Sequence, residues 1–322
     1  MKIINTYHTN FGGGIGDFLR GSVHLHSLCK KYDINFSIDW KYHTIGKYIS
    51  SSEQSSYNMD YILDVEKLAF KQKNNRPFNN RLKSIINLIA EKTTQTKPDN
   101  KNPVLMSSYY LDIYGDNPLQ KILSYDIPDD TKNFLKNNLI VCEKIKTKHK
   151  KTINKIQDYG TIHFRLGDRQ TLPNFQKTSE KIPQNILNNY NLREIEHDFD
   201  FLYFLIERNL EDNNLSKIIL LSDCNKFKKY VSQKNNSKII ITHFDSVHSS
   251  CKPGLLKYTK AYSHSFSDNQ AYCLALDLEC LINSKINISY SIYSWGSGFT
   301  IWPSKIFNVP LKAYRIETYH YD

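Results

Sequence analysis

Two kinds of pattern alternate along the chain. Short strand-like runs, most of them rich in Ile and Leu, occur at 2–6, 34–39, 104–107, 160–165, 217–221, 238–242 and 285–289. Stretches with helical spacing lie between them. From Asp17 to about Tyr32, Phe18, Leu19, Val23 and Leu28 recur at intervals of one helical face. Similar stretches predict helices at 81–91, 130–138, 199–210, 226–233 and 269–282, and a helix beginning near 295–299. The runs at 104–107, 217–221 and 238–242 do not alternate apolar with polar, and with helices between them they predict strands covered on both faces, as in a parallel sheet.

The expected fold class is therefore α/β, with two Rossmann-like domains joined near residues 145–158. Residues 1–150 form the expected first domain, and 151–322 the second. The region 50–103 is polar and poor in order signals, so it reads as surface insertions around the helix at 81–91. In open α/β sheets, ligands bind outside the carboxyl ends of the strands. Four polar motifs sit at such ends here: Gly12–Asp17, Arg165–Asp168, Ser222–Asp223 and Ser291–Ser297.

Each motif has a functional reading and a structural one. His163 and Arg165 alternate along one strand and share a face. On a covered strand such a pair calls for a ligand or a carboxylate partner. Arg165 suits a phosphate, bound bidentately; a structural pair with Asp168 is the equal alternative. Gly13, Gly14 and Gly16 let backbone approach a ligand at a helix start, whereas Asp17 also suits a plain N-terminal helix acid. The run is not G-x-G-x-x-G, and no P-loop pattern occurs. Ser222 and Asp223 read either as ligand contacts or as a helix N-cap. Asp277 lies among Leu274, Ala275, Leu276 and Leu278, so it needs a partner. That partner is a guanine edge, with its two N–H donors, or a buried ion pair. Ser291 and Ser294 place hydroxyls near a helix start that suits a phosphate.

Composition narrows these choices. Of 322 residues, 40% are hydrophobic and 23% charged, which is globular. No apolar run is long enough to span a bilayer, and the first residues lack a secretory pattern, so a cytoplasmic location without an integral membrane segment is expected. The net charge of +11 admits nucleic acid or an anionic membrane as partner. The charge is diffuse, however, and no aromatic–basic recognition motif accompanies it, so no nucleic-acid partner is expected. The dense lysines at 144–155 read as a solvated helix face or a hinge. Cysteines 29, 142, 224, 251, 273 and 280 form no C-x-x-C pair and read as buried thiols. His24, His26, His243, His248 and His264 lack metal-ligand spacing, so no metal is expected.

Taken in order, Gly12–Asp17, His163–Asp168, Leu221-Ser222-Asp223, Leu276-Asp277-Leu278 and Tyr293-Ser294-Trp295-Gly296 resemble the motifs of the fucosyltransferase superfamily. That superfamily includes the α1,2- and α1,6-fucosyltransferases and the protein O-fucosyltransferases. The resemblance spans about residues 158–310, and the first forty residues of the N-terminal half. It implies a GT-B-type glycosyltransferase, with two Rossmann-like domains facing a cleft. It also implies GDP-fucose as donor, a glycan or protein acceptor, inversion at the anomeric carbon and no required cofactor or metal. By position, Arg165 would hold the diphosphate with Ser294 and its neighbours, His163 and Asp277 would read guanine, and the glycine turn would close over the donor. Asp17 is similar to an acid that looks like the catalytic base in one branch, with Asp168 and then Glu180 behind it. Two departures stand out. Leu166 occupies the place of a second arginine, and Asp17 stands where many relatives carry Asn. Another sugar nucleotide, an inactive transferase and a non-catalytic basic binding protein are the alternatives.

Overall fold

The computed structural model describes residues 2–6, 14–41, 43–50, 63–64, 104–107, 118–153, 158–166, 199–245, 267–293 and 295–316. The expected helix at 81–91 lies outside them, as does Cys251.

Two all-parallel sheets carry the fold. The first consists of β1 (Lys2–Thr6), β2 (Asn35–Asp39), β3 (Leu63–Asp64) and β4 (Val104–Ser107), in the order β2-β1-β4-β3. Helix α1 (Ile15–Lys31) crosses from β1 to β2. It buries Phe18, Leu19 and Val23, and its last turn carries Lys30 and Lys31, which complement the helix dipole. Helices α2 (Pro118–Ser124), α3 (Asp129–Asn138) and α4 (Glu143–Ile153) follow. On α4, Ile145, His149 and Ile153 point inward and the lysines outward, so the described part of the lysine-rich segment, up to Ile153, is an amphipathic helix.

The second sheet contains β5 (Tyr159–Arg165), β6 (Lys217–Ser222), β7 (Ile239–Ile240), β8 (Ile286–Ser291) and β9 (Leu311–Arg315), in the order β7-β6-β5-β8-β9. Its helices are α5 (Phe199–Asp212), α6 (Asn225–Gln233), α7 (Asp268–Ile282) and α8 (Gly298–Phe307). On one face, Ile162, Phe164, Ile218, Leu220 and Ile288 pack with Leu202, Ile206, Phe227 and Val231 of α5 and α6. The opposite face packs Tyr159, Ile219 and Leu221 against Ile153 of α4 and Cys280 and Leu281 of α7. Both faces are covered, which is why the inner strand β6 is almost wholly apolar.

Chain order and packing differ at α8, which lies between β8 and β9 of the second sheet yet packs on α1. Ile301, Trp302 and Ile306 join one core with Ile15, Phe18 and Leu19, and with Ala275 and Leu276 of α7. At the crossing, a Cβ on Gly16 would lie 2.1 Å from the Gly298 carbonyl carbon, so only glycine lets these backbones touch.

Two predicted strands change. The run 238–242 pairs only at Ile239–Ile240, a short edge strand. Strand β8 runs on to Ser291, because β9 pairs Tyr290 with Tyr314 and Ser291 with Arg315. The last helix starts at Gly298, within the expected 295–299, after Gly296 turns the chain at φ +75°.

Candidate functional site

In the second sheet, β5 lies between β6 and β8. The chain leaves β5 toward β6 and β7 and later returns to the other side for β8 and β9. The carboxyl ends of β5 and β8 thus flank a topological switch point, where such sheets open a crevice. Arg165 and Ser291 are register partners at that point. The polar ends of β6 and β7 adjoin it.

Arg165 pairs with Asp223, just beyond β6, and both side chains are largely buried. The other Asp223 oxygen accepts the Leu166 N–H at 2.9 Å. Asp223, rather than Asp168, is thus the described carboxylate partner of Arg165; Asp168 and Glu180 lie outside the described residues. The guanidinium also lies 5.2 Å over the Tyr293 ring, and Tyr293 stacks on Trp295 at 5.0 Å. Leu166 is buried among the apolar residues that face α5 and α6. Arg165 is therefore the guanidinium at this strand end, with no second one from Leu166.

Ser222 donates to the Phe164 carbonyl at 3.0 Å and accepts from the Cys224 N–H at 3.1 Å. The N-cap of α6 is Cys224, whose sulfur accepts from the Phe227 N–H at 3.4 Å. Ser222 and Asp223 are thus not the cap that one reading of the sequence allowed. Ser291 Oγ accepts from the Tyr293 N–H at 3.2 Å. Ser294 lies outside the described residues.

His163 faces α8, not open space. Its Nδ1 lies 2.6 Å from Thr300 Oγ1, and Phe299 meets the ring edge-on at 5.7 Å. Burial lowers its pKa to about 4; Asp223 opposes that shift and Arg165 adds to it. Asp277 is buried on α7, and its Oδ1 lies 2.8 Å from His243 Nε2 and 3.4 Å from Thr242 Oγ1. Burial pushes this carboxyl up, and His243 and Lys228 more than offset it, so the group sits below the usual range.

The glycine turn enters from the first half. Gly14 is the N-cap of α1, and its N–H donates to Asp17 Oδ2 at 3.2 Å. Arg20 holds Asp17 Oδ1 at 3.1 Å. Asp17 is thus a first-turn helix acid, as the plainer reading expected. Gly13 lies outside the described residues. Gly16 touches Gly298 and Phe299, and Phe299 touches His163. This chain of contacts connects the start of α1 to the end of β5.

Tyr293 belongs to the motif Tyr293–Gly296 already read from the sequence, whereas His243, Lys228 and Thr300 join the arrangement without having been given a role there. Of these three, only His243 carried a usable signal, because it directly follows an Ile-rich strand run. Among the described residues, no group of three or more His, Cys, Asp or Glu is placed to hold a metal ion, and no helix is long and apolar enough to cross a membrane. Burial raises the Cys29 thiol to about 12 and the Cys224 and Cys273 thiols to about 11. These cysteines are inert at neutral pH.

An α/β protein with two parallel sheets, carrying paired charges at one switch point, is the class that the fold and site define. No protein-family model matches the chain, and no curated protein matches it. Solved structures similar to it include the fucosyltransferase NodZ from Bradyrhizobium, at 12% identity and TM-score 0.43, covering 94% of this chain and 92% of that one. POFUT1 in complex with GDP-fucose is similar at 10% identity and TM-score 0.43, with 96% of each chain covered. A FUT1 mutant from Arabidopsis thaliana in complex with GDP is similar at 9% identity and TM-score 0.42, covering 96% of this chain and 69% of that one.

Proposed function

We propose that the chain is an inverting, metal-independent glycosyltransferase of GT-B type, with residues 1–150 as acceptor domain and 151–322 as donor domain. The donor is GDP-fucose, and the acceptor is a hydroxyl of a glycan or protein. The observation that carries this reading is the set of charged groups at the β5/β8 switch point. A buried guanidinium on a carboxylate is costly unless it has a further task, and a diphosphate provides one. In this reading Arg165, steadied by Asp223 and Tyr293, neutralises charge that builds on the leaving diphosphate. Ser291 and Ser294 contribute hydrogen bonds beside it, and Gly13, Gly14 and Gly16 cover the donor. Asp277 accepts from the guanine N–H donors. Asp17 deprotonates the acceptor hydroxyl, one oxygen leaving its contact with Gly14 or Arg20 to do so; Asp168 is the second choice.

Donor hydrolysis across a panel of sugar nucleotides tests the reading, with turnover of GDP-fucose expected to exceed that of any UDP-sugar. Absence of turnover with every GDP-sugar refutes it. Asp17→Asn should abolish transfer while leaving GDP binding nearly intact, and full activity would remove Asp17 from the role. A second reading, another sugar nucleotide, is favoured by Leu166 pointing into the core, where it supplies no second guanidinium. The same panel separates the two.

A further inference from the structure

His243 and Lys228 have no part in the roles proposed so far, yet both are built into the same buried cluster. Lys228, on α6, is fully buried, and its ammonium donates to the His243 carbonyl at 3.3 Å. His243 follows β7, and its Nε2 meets Asp277 Oδ1 at 2.8 Å. The two side chains of that pair are each 9% exposed. His243 Nδ1 is buried and has no hydrogen-bond partner among the described residues. Both hydrogen bonds to Asp277 fall on Oδ1, and Oδ2 makes none among the described residues. A buried carboxylate with one oxygen clamped and the other unengaged is aimed rather than merely neutralised.

We propose that His243 is a positioning residue, fixed by Lys228 through its backbone carbonyl, that orients Asp277 toward a nucleobase presenting two adjacent N–H donors. This rests on the reading of the strand ends as a nucleotide site, and it adds the device that makes the base contact selective. Electrostatics agree. Burial lowers the Lys228 pKa while Asp277 opposes that, and His243 and Lys228 together hold Asp277 ionised despite its burial. A purely structural ion cluster would affect all nucleotides alike.

Calorimetric titration of the full chain with GDP, inosine diphosphate and UDP separates these roles. Inosine diphosphate lacks the second N–H donor of guanine. The wild type should prefer GDP. His243→Leu should lose about ten- to a hundredfold in GDP affinity, the usual range for a hydrogen bond to a charged group, and its GDP-to-inosine-diphosphate ratio should fall toward one. His243→Gln, whose amide can still donate to Asp277, should keep most of that ratio. An unchanged ratio in His243→Leu, or an equal loss for all three nucleotides, overturns the proposal. If the wild type binds none of the three, the nucleotide-site reading fails and the proposal with it. Should His243→Leu not fold, nitrogen-15 histidine NMR of the wild type decides. The His243 ring resonances must move more with GDP than with inosine diphosphate, and unmoved resonances overturn the assignment.

Discussion

The buried imidazoles around α1 and the buried charges at the ends of β5, β6 and β7 are held in opposite ways. Around α1, the buried imidazoles sit among rings. His24 lies 5.0 Å from Tyr125, His26 stacks 4.3 Å from Phe134, and His43 lies 5.3 Å from Phe18. Burial drives His24 and His43 down to about 3 and lowers His26, so all three are neutral packing groups at physiological pH. At the carboxyl ends of β5, β6 and β7, by contrast, Arg165, Asp223, Asp277 and Lys228 are charged groups buried together. Neutral groups settle into a core at small cost, whereas charges must be matched closely. The cluster of matched charges at the switch point is thus the feature on which the proposed ligand site rests, and the cluster of neutral rings is architecture.

Removing one charge from the matched set should have the largest effect. Asp277→Ala leaves Lys228 buried without its main carboxylate neighbour, and should cost about 3–5 kcal/mol in chemical denaturation. A loss below about 1 kcal/mol would show the cluster to be loosely coupled. The glycine seam comes next. Gly16→Ala forces a Cβ into the Gly298 backbone, and should cost about 1–3 kcal/mol or more, with separation of α1 from α8. An unchanged melting temperature would contradict that contact.

Acid should then distinguish neutral from paired groups. His24 and His43 fall to about 3, and His149 and His163 to about 4, against an unfolded value near 6.5. The folded chain thus binds fewer protons than the unfolded one between these values. Their stabilisation is complete above about pH 6.5 and is lost as the pH falls toward 4 and then 3. The melting temperature should fall steadily from about pH 7 to 4, and a flat profile would refute neutral burial. Tyr159→Phe removes the hydroxyl that donates to the Cys280 carbonyl at 3.0 Å and lies 2.9 Å from His149 Nε2. It should cost about 1 kcal/mol. The smallest effect belongs to Lys47→Ala, because its pair with Asp268 is exposed. It should leave the melting temperature essentially unchanged, and a clear drop would show that the pair matters.

Much of the fold was legible in local pattern. The strand runs at 160–165 and 217–221 and the helix at 199–210 appear within one or two residues of their expected ends, because each is a strong apolar signal. Strand β9 was not read, because Leu-Lys-Ala-Tyr-Arg is half-exposed at the sheet edge and has too few apolar residues to signal a strand. In the site, Arg165 and Asp277 were read as groups that need a partner, and both have one. Their partners, Asp223 and His243, lie 58 and 34 residues away in sequence, and no local spacing connects them.

By itself, then, the sequence determined the alternation of covered strands and helices and the polar ends of the strands, because those follow from periodicity and short-range sterics. Only the tertiary structure decided that His163 serves α8 through Thr300, that Arg165 rests on Asp223 and Tyr293, and that α8 closes against α1 at Gly16. Those contacts depend on strand order and helix crossing, which bring together residues that no local interaction couples.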